Sequence, residues 1–246
     1  MRTEEQVQKN IIYEDEHIIV VFKPAGIATQ TARIGQQDMV SELKNYLAGK
    51  IEYQGKGEPY LGVVHRLDQP VSGVLVFAKN KQAAADLSCQ VSSSKMHKYY
   101  YAVIYGEPRK EEEQLENYLY KEVKTNKSVV VKEDFPNAKK AVLIYKKIKT
   151  LMILEKEQKV SLVEICLLTG RHHQIRAQFA YNDMPLLGDS KYGSESSKQL
   201  GREIGCRNVA LCASKLILYH PVKRKEMIFE KQPEEEIFLP FFTSGI

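Results

Sequence analysis

The stretch that most narrows what this chain can fold into is VVHRLDQPVSGVLVFAKN, from Val63 to Asn80. An apolar run stops at a packet of His, Arg and Asp, passes Pro70 and the Ser72-Gly73 pair, and resumes as a second apolar run. Runs this rich in Val, Leu and Phe read as core strands, one ending at His65 and one covering Val74 to Ala78. The Pro and Gly between them force a turn, so Arg66 and Asp68 sit on a loop beside a sheet, where a rigid scaffold can aim chemistry. In isolation such a triplet is more often a turn cap whose arginine is a surface ion-pair partner of little energetic weight.

A chain of 246 residues with 43% hydrophobic content can bury a substantial core. The formal charge of +5 favours anionic partners without naming one. Four cysteines, Cys89, Cys166, Cys206 and Cys212, form no CxxC pair, which points to reduced thiols in a cytoplasm and away from zinc or a disulfide framework. MRTEEQVQKN at the start is charged, and no apolar stretch has bilayer-spanning length, so secretion and membrane insertion are disfavoured.

Along the chain, Ile11 to Gly26 reads as two strands around an acidic turn, stopped by Pro24 and Gly26. Asp38 is a candidate N-cap for a helix whose Val40, Leu43 and Leu47 share a face, with Gly49 where a C-cap belongs. A helix from Asn80 to about Val91 follows the second core strand, and Lys98 to Tyr105, KYYYAVIY, is aromatic and β-branched enough to be a strand. Alternation places Tyr99 and Tyr101 on one face as core and Tyr100 on the other. Residues 107 to 140 read as a charged excursion holding half a hairpin at Ser128 to Val131. Strands are expected at Ala141 to Lys147, Leu151 to Leu154 and Val160 to Leu168. A helix near Arg171, a Ser- and Gly-rich loop, an apolar element from Val209 to Tyr219 and a strand Glu226 to Glu230 complete the chain. The expected architecture is α+β: a 1–10 extension, then one domain over 11–246 with a mixed, mostly antiparallel central sheet flanked by helices and loops.

A second packet changes the weight of the first. LLTGRHHQIRAQF, Leu167 to Phe179, ends a strand in Gly-Arg and opens a helix carrying His172, His173, Gln174 and Arg176. Helical spacing puts His172, Ile175, Arg176 and Phe179 on one face, delivering an arginine beside an apolar shelf. Asp68 is the candidate carboxylate for it. An opposite charge nearby keeps a buried carboxylate ionised, which suits a nucleophile better than a general acid.

These residues resemble the RluA-type pseudouridine synthases, which isomerise specific uridines in ribosomal or transfer RNA. The resemblance spans nearly the whole chain: DEHIIVVFKPAG, HRLDQPVSG, KYYYAV, LLTGRHHQIRAQF followed by MPLLGDSKYG, and LCASKLILYHP, in order. Val71 stands where the family commonly has Thr, and Gln178 where a His often closes the HQIR motif. The resemblance implies that Asp68 is the catalytic aspartate, Arg176 its salt-bridge partner, and Tyr100 the tyrosine that stacks on uracil. Ile175 would supply an apolar wall, and Arg66 would fill the gap left by a flipped nucleotide or grip a phosphate. His65, Arg171 and Lys23 join the residues expected to touch RNA, with Lys191, Lys95 and Lys98 as further candidate phosphate contacts. No redox cofactor and no metal are implied. The partner is RNA, reached without an N-terminal RNA-binding accessory, and the protein is expected to act as a monomer away from membranes.

Three rival readings compete with this one. A metal site would need His65, His97, His172 and His173 to converge, yet adjacent helical histidines point about 100° apart. A glycoside hydrolase would use Asp68 as nucleophile with Glu164 or Asp189 as acid, but leaves an arginine aimed at the nucleophile unexplained, and the chain has no Trp to line a sugar cleft. A non-catalytic RNA-binding module has no use for a buried carboxylate, which repels phosphate.

Overall fold

The computed structural model describes residues 4–31, 35–55, 57–153 and 157–243. In chain order its elements are α1 (Glu4–Gln8), β1 (Ile11–Glu14), β2 (Ile18–Lys23), α2 (Met39–Ala48), β3 (Gly62–Val63), β4 (Ser72–Ala78) and α3 (Lys81–Ser92). Then come β5 (His97–Tyr105), β6 (Glu112–Glu122), β7 (Lys127–Val131), β8 (Lys139–Ile153), β9 (Gln158–Leu167) and α4 (Gln174–Tyr181). The chain finishes with α5 (Glu195–Glu203), β10 (Leu211–Tyr219), β11 (Glu226–Glu230) and α6 (Leu239–Phe242). They form two compact units, one of Met1–His97 with Ala213–Lys231, the other of Lys98–Cys212 with Gln232–Ile246.

In the first unit the strand order is β1-β2-β4-β10-β11, with the short β3 also paired to β4. β2 and β4 run antiparallel from Ile18 opposite Ala78 to Lys23 opposite Gly73. Both strands are buried along their whole length, because each is apolar on both faces and the sheet is covered. Ile18, Val20, Val74, Val76 and Ala78 pack against Ala83 and Leu87 of α3 and against Leu216, Leu218 and Phe229. Each fully buried Val or Leu contributes roughly 1.5–3 kcal/mol. The helix starts are set by side-chain caps: Asp38 accepts from the Ser41 amide at 2.8 Å and Asn80 from the Ala83 amide at 2.9 Å. Gly73, at φ +130°, has no alternative, since a Cβ there would lie 2.4 Å from the Ala213 backbone nitrogen and oxygen.

In the second unit the order is β5-β9-β8-β6-β7, all antiparallel. The charged excursion is a long hairpin of β6 and β7. β6, EEQLENYLYKE, was expected as solvated chain, but Leu115, Asn117 and Leu119 alternate onto one face, burying both leucines. The two strands expected at 141–147 and 151–154 are one, β8, whose register shifts between Lys147 and Lys149 and leaves Ile148 exposed; the expected end at Leu154 lies outside the described residues. Within the Ser- and Gly-rich loop lies α5, capped by Ser194, whose Oγ accepts from the Ser197 amide at 3.1 Å. α4 packs on the hairpin through Ala177, against Leu119, Val130 and Tyr192.

Candidate functional site

The loop that carries Asp68 is braced from both sides of that residue. On its N-terminal side, the buried Thr29 hydroxyl donates to the Leu67 carbonyl at 3.0 Å and accepts from the Leu67 amide at 3.1 Å. On its C-terminal side, the Gln69 carbonyl accepts from the Gly26 amide at 2.8 Å and from the Lys23 ammonium at 3.2 Å. The Gln69 side-chain amide returns a bond to the Gly26 carbonyl at 3.0 Å, and the Val71 amide donates to the Asp68 carbonyl at 3.1 Å, closing the turn. Asp68 is half-buried while Arg66 is exposed. With both neighbours tied by paired backbone bonds, the carboxylate stem has a fixed origin.

Lys23 corrects an expectation. It is 0% exposed, and its ammonium donates to the carbonyls of Pro24 (2.9 Å), Ile27 (2.7 Å) and Gln69. Three donors meet three acceptors, so nothing remains for an RNA phosphate; the residue knots the KPAG turn to the Asp68 loop instead. His65 is likewise tied inward, its Nε2 accepting from the Val76 amide at 3.2 Å, which places the neutral ring's proton on Nδ1.

In the second unit the helix face drawn from the sequence changes. His173 has φ +50° and is the residue before α4, so the helix starts at Gln174 and His172 is not on it. The two imidazoles are therefore not 100° apart but stacked, with centroids 3.7 Å apart and 23° between planes. Ser128 Oγ donates to the His172 carbonyl at 2.5 Å, and His173 Nδ1 lies 2.8 Å from the Tyr192 hydroxyl, which accepts from the Ser128 amide at 2.7 Å. Among the described residues no three His, Cys, Asp or Glu side chains converge as a metal ion would require.

Arg176 and Ile175 are both buried on α4. Arg176 meets a carboxylate that the sequence reading did not give it: Nε donates to Asp189 Oδ2 at 2.7 Å and Nη2 to Oδ1 at 2.9 Å, a bidentate fork between side chains 4% and 0% exposed. The backbone amides of Lys191 and Tyr192 donate to the same Oδ1 at 2.9 and 3.0 Å. Burial raises the Asp189 carboxyl, but Arg176 and the two amides outweigh it and hold it below the usual carboxylate range. Asp189 thus lacks the proton a general acid needs, which removes it from the glycoside-hydrolase reading. The guanidinium lies over the Tyr192 ring, 5.1 Å from its centroid. The fork uses Nε and one N–H of Nη2, so a single carboxylate fixes the guanidinium plane. Gly188 holds the turn before Asp189 at φ +69°, where a Cβ would meet the Asn208 carbonyl oxygen at 2.0 Å.

Two glutamines organise this region. Gln174 Oε1 accepts from Thr169 Oγ1 (2.8 Å) and the Arg171 amide (3.0 Å) while its Nε2 donates to Val142 O (3.1 Å), fixing the loop into α4. Gln178, where the family often has His, donates to Leu115 O, Asn117 Oδ1 and Ala141 O at 3.1, 2.8 and 3.2 Å, stitching α4 to β6 and β8. Arg171 is exposed, with Nε donating to Lys140 O at 2.8 Å. On β5 the tyrosines reverse expectation: Tyr100 is buried at 6% exposure, whereas Tyr99 and Tyr101 are only half-buried, Tyr101 edge-on to Phe242.

Comparison with known proteins agrees with this architecture. Residues 17–181 match the RNA pseudouridylate synthase family. The chain is 32% identical over 241 residues to ribosomal large subunit pseudouridine synthase D of Zymomonas mobilis, covering 96% of this chain and 73% of that protein. It is 31% identical over 223 residues to the dual-specificity RNA pseudouridine synthase RluA of Vibrio parahaemolyticus, covering 86% of this chain and 78% of that protein. The solved structure of human RNA pseudouridylate synthase domain containing 4 shares the fold, with a TM-score of 0.75 at 23% identity, over 97% of this chain and 93% of that one.

Proposed function

The chain belongs to the RNA pseudouridylate synthase family, and on that premise we propose that it isomerises particular uridines of ribosomal or transfer RNA, with Asp68 as the catalytic carboxylate. The reaction is redox-neutral: the N1–C1′ bond breaks, the uracil turns, a C5–C1′ bond forms, the C5 proton leaves and N1 gains one. An ionised carboxylate at the sugar and a pocket that retains the detached base meet these requirements without a cofactor.

The observation that supports Asp68 most is its double brace, Thr29 on Leu67 and Lys23 with Gly26 on Gln69, because positioning within a fraction of an ångström is what such chemistry demands. Arg176, held by the Asp189 fork, is proposed as a second catalytic residue. Tyr100 is proposed as the ring that stacks on uracil and Ile175 as the wall beside it. Arg66 and Arg171, both exposed, are proposed to grip the RNA backbone, and His65 to hold the packet against β4. A paired uridine must be extruded at a cost of a few kcal/mol, so loops and bulges are the favoured targets.

We further propose that the protein works in the cytoplasm as a monomer. All four cysteines are free thiols, and among the described residues no helix is long and apolar enough to cross a membrane. The test of the function is RNA transcribed with uridine tritiated at C5. Isomerisation releases tritium without free uracil. Free uracil would indicate a hydrolase, and neither product would indicate a binding module; either result would overturn the proposal.

A further inference from the structure

Lys98, the second residue of β5, is half-buried, yet among the described residues it has no hydrogen-bond or ion-pair partner. Its ammonium lies against Gly170, 3.6 Å from where a Cβ of that residue would be. A cation partly removed from water without an anion costs free energy, so a half-buried lysine left in this state is more economically explained by a ligand than by the fold. Burial pushes its pKa below the ordinary lysine value, and no neighbouring carboxylate offsets the shift.

The surroundings indicate what that ligand is. Lys98 and Tyr100 are two residues apart on one strand and project to the same face, roughly 7 Å apart along it. That is the scale of a single nucleotide step. Gly170 is exposed and has no side chain, so an anion can reach the loop backbone beside the ammonium, and the exposed Arg171 follows it directly. Resting on the reading that Tyr100 stacks on the target uracil, we propose that Lys98, with the Gly170 backbone and Arg171, binds the RNA phosphodiester adjoining the flipped uridine. Lysine suits this task because it is a compact point charge that needs no fixed bidentate geometry.

The test follows binding of a fluorescein-labelled ten-nucleotide oligouridylate by anisotropy across a NaCl series, for the native protein, Lys98→Gln, Lys98→Arg, and Lys81→Gln as a control at an exposed lysine on α3. Loss of one phosphate contact on single-stranded RNA reduces the slope of log K against log[NaCl] by about 0.7. Lys98→Gln is expected to show that reduction with roughly tenfold weaker binding, Lys98→Arg to retain the native slope, and Lys81→Gln to match the native protein. Without RNA, Lys98→Gln should melt at the native temperature or above it, since an uncompensated buried charge is gone; a purely structural lysine would give the opposite sign. Unchanged affinity and slope in Lys98→Gln, or an equal reduction in Lys81→Gln, overturns the assignment. Tritium release by the native protein alongside an unchanged KM in Lys98→Gln overturns it while leaving the proposed activity standing, whereas a native protein that neither binds the oligouridylate nor releases tritium removes both.

Discussion

Replacing Asp189 by Asn tests whether the buried fork holds Arg176 in place. The carboxylate accepts four hydrogen bonds, two from Arg176 and two from the Lys191 and Tyr192 amides. In the Asp189→Asn variant a single oxygen can still serve the two amides from the Oδ1 position. The side-chain NH2 then replaces Oδ2, so a donor faces the Arg176 Nε–H where an acceptor stood 2.7 Å away. The variant keeps the shape and removes the Asp189 charge from a guanidinium with 4% side-chain exposure. Breaking a buried pair from one side costs about 3–5 kcal/mol, a large part of a typical domain's stability. Urea unfolding should therefore show a lower midpoint at unchanged slope. If the fork also positions the guanidinium of Arg176, kcat for tritium release should fall about a hundredfold at temperatures where the variant is folded, with KM little changed. A stability loss under about 1 kcal/mol together with native kcat would refute the positioning role.

Further expectations follow from other parts of the molecule. Thr29→Val keeps the volume but strips both bonds from the Leu67 backbone; it should cost about 2 kcal/mol of stability and lower kcat roughly tenfold without raising KM, as read by urea melts and tritium release. Gly73→Ala forces a methyl group into the Ala213 backbone at a positive φ and should cost about 2–5 kcal/mol or prevent accumulation of folded protein, as read by circular dichroism melts. Burial raises the Asp15 carboxyl, but the His17 and Ile18 amides, Lys223 and Tyr13 together hold it well below its ordinary value. A depressed folded pKa gives stability present above the unfolded carboxylate pKa and lost as pH falls through the folded one. Asp15→Asn should thus be destabilised by about 2 kcal/mol at pH 7, and the gap to the native protein should shrink on acidification below pH 4; a gap constant from pH 7 to pH 2 would contradict the cause.

Where local signals and tertiary context agree, the sequence was legible. Asp38 caps the helix expected of it, the helix expected from Asn80 is α3, and the apolar runs of β2 and β4 pair as core strands. β6 was not legible because Leu115 and Leu119 are four apart among Glu, Gln and Asn, a spacing that favours helix or solvated chain; only pairing with β8 turns it into a strand. α5 hides among Ser and Gly, although Ser194 followed by Glu195 is a helix-start signal. The left-handed backbone at His173 displaces His172 from the helix, and nothing in adjacent letters announces that. Asp189 was visible as a residue but not as the partner of Arg176, since it lies thirteen residues further along the chain and a glycine turn decides the encounter. Lys23 was misread because a lysine before Pro resembles a surface charge until three carbonyls are seen to enclose it.

The most direct test of the central claim compares native protein and Asp68→Asn on RNA bearing C5-tritiated uridine, at equal RNA occupancy. Asn preserves the braced loop and removes only the charge, so the account predicts native-like RNA affinity and no tritium above background. Tritium release by Asp68→Asn at a rate comparable to the native protein would contradict it.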